Sequence, residues 1–340
     1  MFQRILVPLD GSERAERAIP LAARLARASG GTLIFLYVAL PPAVIRTSPY
    51  GQTVTSPPER QETECLQAET YLKQDIGKDY ASDLAGIPTE MEVSTGTPAT
   101  TIFSTASLKS IDLIVMCSHG ETGLKRWVFG SVAQEAVRHT PVPVLVLNEH
   151  GTSLPESATY QPLSAVVALD GSPLAESALE PAARLISALA APGPGVLHLL
   201  RVVKIPSPYE KLKGPINFDA MMKEEARKEA ITYLKSLKER LHDGLCAELH
   251  LAVTSSLVVS SEVAKTIIDI AEQVGSDGKS GYVHLLAMAT HGRNGLQRLA
   301  LGSITEHVVG ATKLPLLMVR PAQSEVQGKR ETPREEVSRS

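Results

Sequence analysis

Cysteine is scarce in this chain. Only Cys65, Cys117 and Cys246 occur in 340 residues, and no two form a CxxC pair. That argues against a disulfide framework and against a zinc site built on thiolates. An excess of one charge is also missing: the formal net charge is −3, so no general nucleic-acid footprint shows. No stretch approaches the ~18 uninterrupted apolar residues of a membrane span. No basic segment with a cleavable apolar core precedes the first apolar run, Ile5 to Leu9. The expectation is a soluble cytoplasmic protein without a nucleic-acid or membrane partner. At 43% hydrophobic and 21% charged, the composition is that of an ordinary globular chain, long enough for about two domains.

What is present is a repeat. Met116-Cys117-Ser118-His119-Gly120 is followed by nine residues and then Gly130-Ser131. Ala289-Thr290-His291-Gly292, nine residues and Gly302-Ser303 repeat that spacing, with Gly123 and Gly295, Leu124 and Leu296, and Arg126 and Arg298 recurring between. Each copy reads as an apolar strand, a glycine-rich loop and a helix start. Glycines let a backbone approach a ligand closely, and the N–H groups and positive dipole end of a helix favour an anion such as phosphate.

The rest of the chain fits the same duplication. Arg4 to Leu9 is a short apolar strand closed by Asp10-Gly11-Ser12, and Ser164 to Ser172 repeats it at an offset of 160. The later motif repeats at 172 (302 − 130), so twelve residues entered the second copy, with 192–195, 205–218 and 275–281 as candidates. In the first copy a helix carries Ala15, Ala18, Ile19, Ala22, Leu25 and Ala26 at helical spacing. Thr32 to Leu40 is a second strand, and 41–60 a Pro/Ser-rich loop, either lid or disorder. A helix over 61–85 with Ala68, Tyr71, Leu72 and Ile76 inward, a third strand Pro88 to Thr95 and a fourth Ile111 to Met116 follow. Val142 to Leu147 is a fifth, which Pro143 places at an edge. Leu314 to Val319 matches it, Pro315 included.

Alternating strands and helices argue for right-handed βαβ units around a parallel sheet. Ligands of such sheets sit beyond the carboxyl ends of the strands, near the switch in strand order. Asp10, Val38, Gly96 and Gly120 all fall at predicted carboxyl ends. The expected organisation is two tandem α/β domains, 1–147 and 163–320, a polar linker 148–162 and a disordered tail 321–340. The two proline-bearing strands are expected to pair, making one chain a pseudo-twofold dimer. Whether two chains then form a homodimer stays open.

A strand ending in Asp-Gly-Ser, a later Gly96-Thr97-Pro98, then Ser-His-Gly, nine residues and Gly-Ser resembles the universal stress protein family, in tandem. The family motif is Gly, two residues, Gly, nine residues, Gly, then Ser or Thr. The resemblance implies a five-stranded, mainly parallel, Rossmann-like sheet with helices on both faces in each domain. It implies ATP, with or without Mg2+, bound across the loop. Asp10 would lie by ribose or magnesium, Val38 would meet adenine through its backbone, and Gly120, Gly130 and Ser131 would hold phosphates. Asp170, Val202, Gly292, Gly302 and Ser303 would match them in the second domain.

Two departures stand out. The family's first glycine is Cys117 in one copy and Ala289 in the other, where a positive φ would cost about 1 kcal/mol or more. The Gly96-Thr97-Pro98 turn is replaced by Ser261-Glu262-Val263, and an inward Glu262 would repel a triphosphate, so the first site is expected to bind ATP more tightly. The alternatives run alongside. Asp10 and Asp170 also read as supports for the following helix, His119 and His291 as turn residues rather than base or metal ligand, and Cys117 as packing rather than a reactive thiol. Arg126 and Arg298 suit either a phosphate or a surface carboxylate. Trp127 and Phe129, matched by Leu299 and Leu301, read as core or dimer contacts. The implied function is an ATP-binding regulatory protein of stress responses. A slow ATPase, or a nucleotide-free scaffold dimerising through its edge strands, remain the alternatives. The Ser-Gly-Gly-x-Asp-Ser loop of related adenylating enzymes is absent after the first strand, where Asp10-Gly11-Ser12-Glu13-Arg14 stands instead.

Overall fold

The structure is a computed structural model that describes residues 2–39, 58–118, 130–148, 162–205, 216–273, 283–290 and 301–321. The candidate residues Gly120, Arg126, Gly292 and Arg298 lie outside the described residues, as do His119, His291, Trp127 and Phe129. So do most of the 41–60 loop, the linker and the tail.

Ten strands form one sheet. They are β1 (Arg4–Leu9), β2 (Thr32–Ala39), β3 (Thr89–Thr95), β4 (Leu113–Cys117), β5 (Val144–Leu147), β6 (Leu163–Leu169), β7 (Gly195–Lys204), β8 (Leu251–Ser260), β9 (Val283–Ala289) and β10 (Leu316–Val319). Their order is β3-β2-β1-β4-β5-β10-β9-β6-β7-β8. Each half is a parallel five-stranded unit, and the second is the first reversed.

The strands read as near-continuous apolar runs because both faces are covered. Ile5, Val7 and Leu9 pack on one side with the helices Ala18–Ser29 and Leu179–Ala190. Leu6, Ile34 and Leu36 pack on the other with Pro98–Leu108 and Ser131–His139. The helix expected over 61–85 is broken into Pro58–Thr70, a π turn Tyr71–Ile76, Gly77–Asp79 and Ala81–Leu84. Ala68, Leu72 and Ile76 are buried as expected. Its counterpart is one helix, Ile216–Asp243.

The halves meet where the sequence placed them. β5 and β10 pair antiparallel, with Leu317 opposite Leu145 and Met318 opposite Val144. Each is the edge of its own half, and together they remove both edges. The prolines stand just outside the ladder, and the Pro143 and Pro315 carbonyls accept from Ile114 and Leu286 N–H, both at 3.0 Å. Asn148 and Arg320, equivalent residues, reach across the seam. Asn148 Nδ2 donates to the Thr312 carbonyl at 2.7 Å, and Arg320 Nη1 to the His139 carbonyl at 3.0 Å. Both proline-bearing strands are thus paired with each other inside one chain.

The register also locates the insertions. Val38 and Val202 hold matching places at an offset of 164 (202 − 38), and Ser94 and Val258 keep it (258 − 94). The loop 205–218 therefore adds nothing net. Thr97 and Glu262, whose carbonyls accept from Thr101 and Thr266 N–H, stand at 165 (262 − 97). Ile114 and Leu286 stand at 172 (286 − 114). The additions are thus four residues before β7, one at the turn after β8, and the remainder before β9.

Candidate functional site

β1 turns one way to β2 and the other to β4, so the switch in strand order falls between β1 and β4. The carboxyl ends of β2, β1 and β4 stand side by side there, with Asp10 after β1, Val38 near the end of β2 and Cys117 closing β4. β3 ends beside β2, and Gly96 N–H donates to the Ala39 carbonyl at 3.1 Å. In the second half Asp170, Val202 and Ala289 take the corresponding places at the ends of β6, β7 and β9.

The Asp-Gly-Ser turn is built identically in both halves. Asp10 Oδ1 accepts from Ser12 N–H at 3.1 Å and Ser12 Oγ at 2.6 Å. Ser12 Oγ accepts from Ala15 N–H and caps the helix Glu13–Glu16. Asp170, Ser172 and Ala175 reproduce these bonds at 2.9, 2.6 and 3.2 Å. Gly11 and Gly171 have φ of 83° and 78°, a left-handed conformation that a side chain would strain. The helix cap is thus the serine, and the aspartate braces it.

The phosphate-loop motif is closed by a bond that sequence reasoning missed. Gly130 N–H donates to the Ser118 carbonyl at 2.7 Å, and Gly302 N–H to the Thr290 carbonyl at 3.1 Å. Ser118 and Thr290 are buried and are themselves tied to the neighbouring strand ends, at Leu147 and Val319. The two ends of each loop are therefore clamped together, and the start of the following helix is fixed beside β4 or β9. Within the helices the bonds begin at Gln134 N–H to Gly130 and Glu306 N–H to Gly302, so the preceding N–H groups face out of the helix start. Neither Gly130 nor Gly302 supplies a side-chain cap. Ser131 and Ser303 are exposed at the first helical position.

The expected strain at the missing first glycine is absent. Cys117 and Ala289 are ladder residues of β4 and β9, paired with Leu147 and Val319, and neither has a positive φ. Cys117 Sγ lies 4.0 Å from the Ala15 carbonyl. Burial pushes its thiol up to about 12, against an opposing pull from Arg17. It is a protonated packing group at neutral pH, as the packing reading expected. Glu262 corrects a second expectation. Its side chain is exposed and sits 3.9 Å from Lys265, so it does not point inward. At that turn Ser260 Oγ accepts from Glu262 N–H at 3.1 Å. In the first half Gly96 has φ 151°, and a Cβ there would lie 2.6 Å from Thr101 Oγ1.

Beneath the Asp10 turn lies a tyrosine cluster that the motifs did not reveal. Tyr71 Oη donates to Glu16 Oε1 at 2.7 Å and Tyr80 Oη to Oε2 at 3.3 Å. Burial, and then the Glu16 carboxylate, push both phenols up, Tyr80 to about 12. Tyr37 meets Tyr71 edge-on at 6.0 Å. Glu176 repeats Glu16 but pairs with Arg240. The readable signal was the offset of 160 between the two glutamates.

A doubly wound α/β sheet whose glycine-led helix starts lie beside the switch point is a Rossmann-like architecture. A profile of the universal stress protein family matches residues 1–148 and 164–320. The chain belongs to the universal stress protein family, as a tandem of two of its domains. It is 25% identical to a universal stress protein of Mycolicibacterium smegmatis, over 93% of this chain and 97% of that one. A Bacillus subtilis universal stress protein is 31% identical over 43% of this chain and 99% of its own length. The crystal structure of a universal stress protein from Archaeoglobus fulgidus matches with a TM-score of 0.61 at 18% identity, over 94% of this chain and 97% of that one. That match supports the fold. Among the described residues, no helix is long and apolar enough to cross a membrane.

Proposed function

We propose that each half holds an adenine nucleotide across the carboxyl ends of its strands, and that the protein acts as a nucleotide-responsive regulator in stress responses. Asp10, Val38, Gly96, Gly130 and Ser131 would contact the first nucleotide, with Gly120 and Arg126 completing its loop. Asp170, Val202, Gly302 and Ser303 would contact the second, with Gly292 and Arg298. Cys117 and Ala289 would back the loops from the strand ends without donating to the ligand. The observation that carries this reading is the pair of clamps, Gly130 to Ser118 and Gly302 to Thr290. They hold an uncapped helix start at the switch point of each half.

The residues fit an adenine nucleotide. A Cβ at Gly302 would make only ordinary contacts, with the Thr290 carbonyl at 3.6 Å and Thr305 Oγ1 at 3.7 Å, so among the described residues nothing crowds that position. Backbone donors there suit phosphate oxygens. The described residues contain no cluster of three or more His, Cys, Asp or Glu at metal-binding distance. Mg2+ bound to the triphosphate would find Asp10 or Asp170 nearby. Mass spectrometry of small molecules released from the gently denatured, freshly purified chain tests the reading. Co-purified ATP supports it, and AMP with pyrophosphate release would point to an adenylating enzyme instead.

A further inference from the structure

The two halves differ in charge at one position near the end of the second strand. Tyr37 and Arg201 are equivalent: Tyr37 pairs with Leu9 in the β1–β2 ladder, and Arg201 with Leu169 in the β6–β7 ladder. Each therefore stands one residue before the valine expected to meet adenine, and beside the last residue before the Asp-Gly-Ser turn. In the first half this position is an aromatic ring. A Cβ added to Gly11 would lie 3.8 Å from its edge, and Tyr71 packs against it. In the second half it is a guanidinium, 9% exposed, whose Nη1 donates to the Leu169 carbonyl at 3.3 Å.

A buried cation in place of an aromatic ring asks for a reason. Burying a charge is costly unless other charges offset it. Tyr233 reports which charges stand nearby. Burial pushes its phenol up, the Glu176 and Asp170 carboxylates add to the push, and Arg201 opposes it. The guanidinium is held at the carbonyl of Leu169, the residue that immediately precedes Asp170. The first half places its cation elsewhere. Arg17, exposed at the end of the helix Glu13–Glu16, acts on the Cys117 thiol at the end of β4, and its equivalent in the second half is Ser177.

We propose that Arg201 is the charge-selecting residue of the second nucleotide site, offsetting the neighbouring Asp170 so that this site favours a nucleotide with several phosphates over the uncharged nucleoside. The proposal rests on the reading that the second half binds an adenine nucleotide. The cation acts through the field at the site and through its hold on the Leu169 carbonyl. Because it is buried, salt screens it less than it screens exposed Arg17.

The experiment uses the full chain carrying Gly130→Glu, so that only the second site reports. ATP and adenosine are titrated separately by calorimetry into this protein and into its Arg201→Lys and Arg201→Tyr derivatives. Tyrosine is the residue the first half accommodates at this position. Arg201→Tyr is expected to weaken ATP roughly tenfold while leaving adenosine unchanged, as loss of one nearby charge requires. Arg201→Lys is expected to keep ATP within about threefold of the parent. Equal loss of both ligands in Arg201→Tyr would mean a merely structural role and overturn the proposal, as would no change in either. If Arg201→Tyr does not fold, Tyr37→Arg in a Gly302→Glu background decides. The ratio of ATP to adenosine affinity at the first site must rise, and an unchanged ratio overturns the proposal. A folded Gly130→Glu parent that binds neither ligand refutes nucleotide binding in the second half, and the proposal with it. Binding by the parent with an unshifted ratio refutes the proposal alone.

Discussion

Gly130→Glu separates the site from the fold. Gly130 is the N-cap of the helix Ser131–His139, with φ −58° and ψ 147°. That is a conformation L residues adopt freely, so the substitution adds no left-handed strain. The clamp to Ser118 uses only the Gly130 backbone N–H and survives. A poorer N-cap costs about 0.5–1 kcal/mol, and a carboxylate at the positive end of the helix returns about 0.3–1 kcal/mol. Stability should therefore change by less than about 1 kcal/mol. Binding should change far more. One negative charge about 6 Å from a phosphate charge, at an effective dielectric constant near 20, opposes it by about 3 kcal/mol, or roughly a hundredfold in affinity. Gly130→Ala, which adds volume without charge, should lose much less. The assay pairs urea unfolding with calorimetric titration of ATP into the full chain. A folded Gly130→Glu protein with the nucleotide titration of the parent would refute the assignment of the phosphate site.

Other substitutions probe the remaining parts. Gly96→Ala forces a Cβ to within 2.6 Å of Thr101 Oγ1 at a φ of 151°. It should destabilise the protein by about 1–3 kcal/mol and weaken ATP at the first site only, read by urea midpoint and titration. Leu317 is fully buried opposite Leu145, so Leu317→Lys places an ammonium in the seam. It should cost about 3–5 kcal/mol, and an unchanged melting temperature would argue against the β5–β10 pairing. Cys117 is protonated well above neutral pH and Cys246 is buried, whereas Cys65 is partly exposed. Iodoacetamide on the folded protein at pH 8 should therefore label Cys65 and spare the other two until urea is added, as peptide mapping would show. Because the raised Cys117 thiol stays protonated until the pH nears 12, raising the pH from 7 to 9 should not open it to labelling.

Much of this architecture was legible because it is written twice. The offsets between Asp10 and Asp170 and between Gly130 and Gly302 gave the domains. Pro143 and Pro315 marked the two strands that now form the seam, since a missing N–H limits where a strand can pair. What stayed hidden depends on tertiary neighbours. The Ser118 and Thr290 clamps use backbone carbonyls, which no side chain advertises. Cys117 and Ala289 looked strained only while they were assigned to the loop; as ladder residues of β4 and β9 they are extended. Whether Glu262 points inward could not be read from charge alone; it is exposed beside Lys265. Arg201 carries no signal in the sequence by itself, because only the register against Tyr37 shows the exchange of a ring for a charge.

The most direct measurement is the stoichiometry of ATP binding to the full, nucleotide-stripped chain by calorimetry, with Mg2+ present. Two clamped helix starts at two switch points predict two nucleotides per chain, falling to one in Gly130→Glu or Gly302→Glu and to none in the double mutant. A folded chain that takes up no ATP, or whose uptake is untouched by the double substitution, would contradict the account.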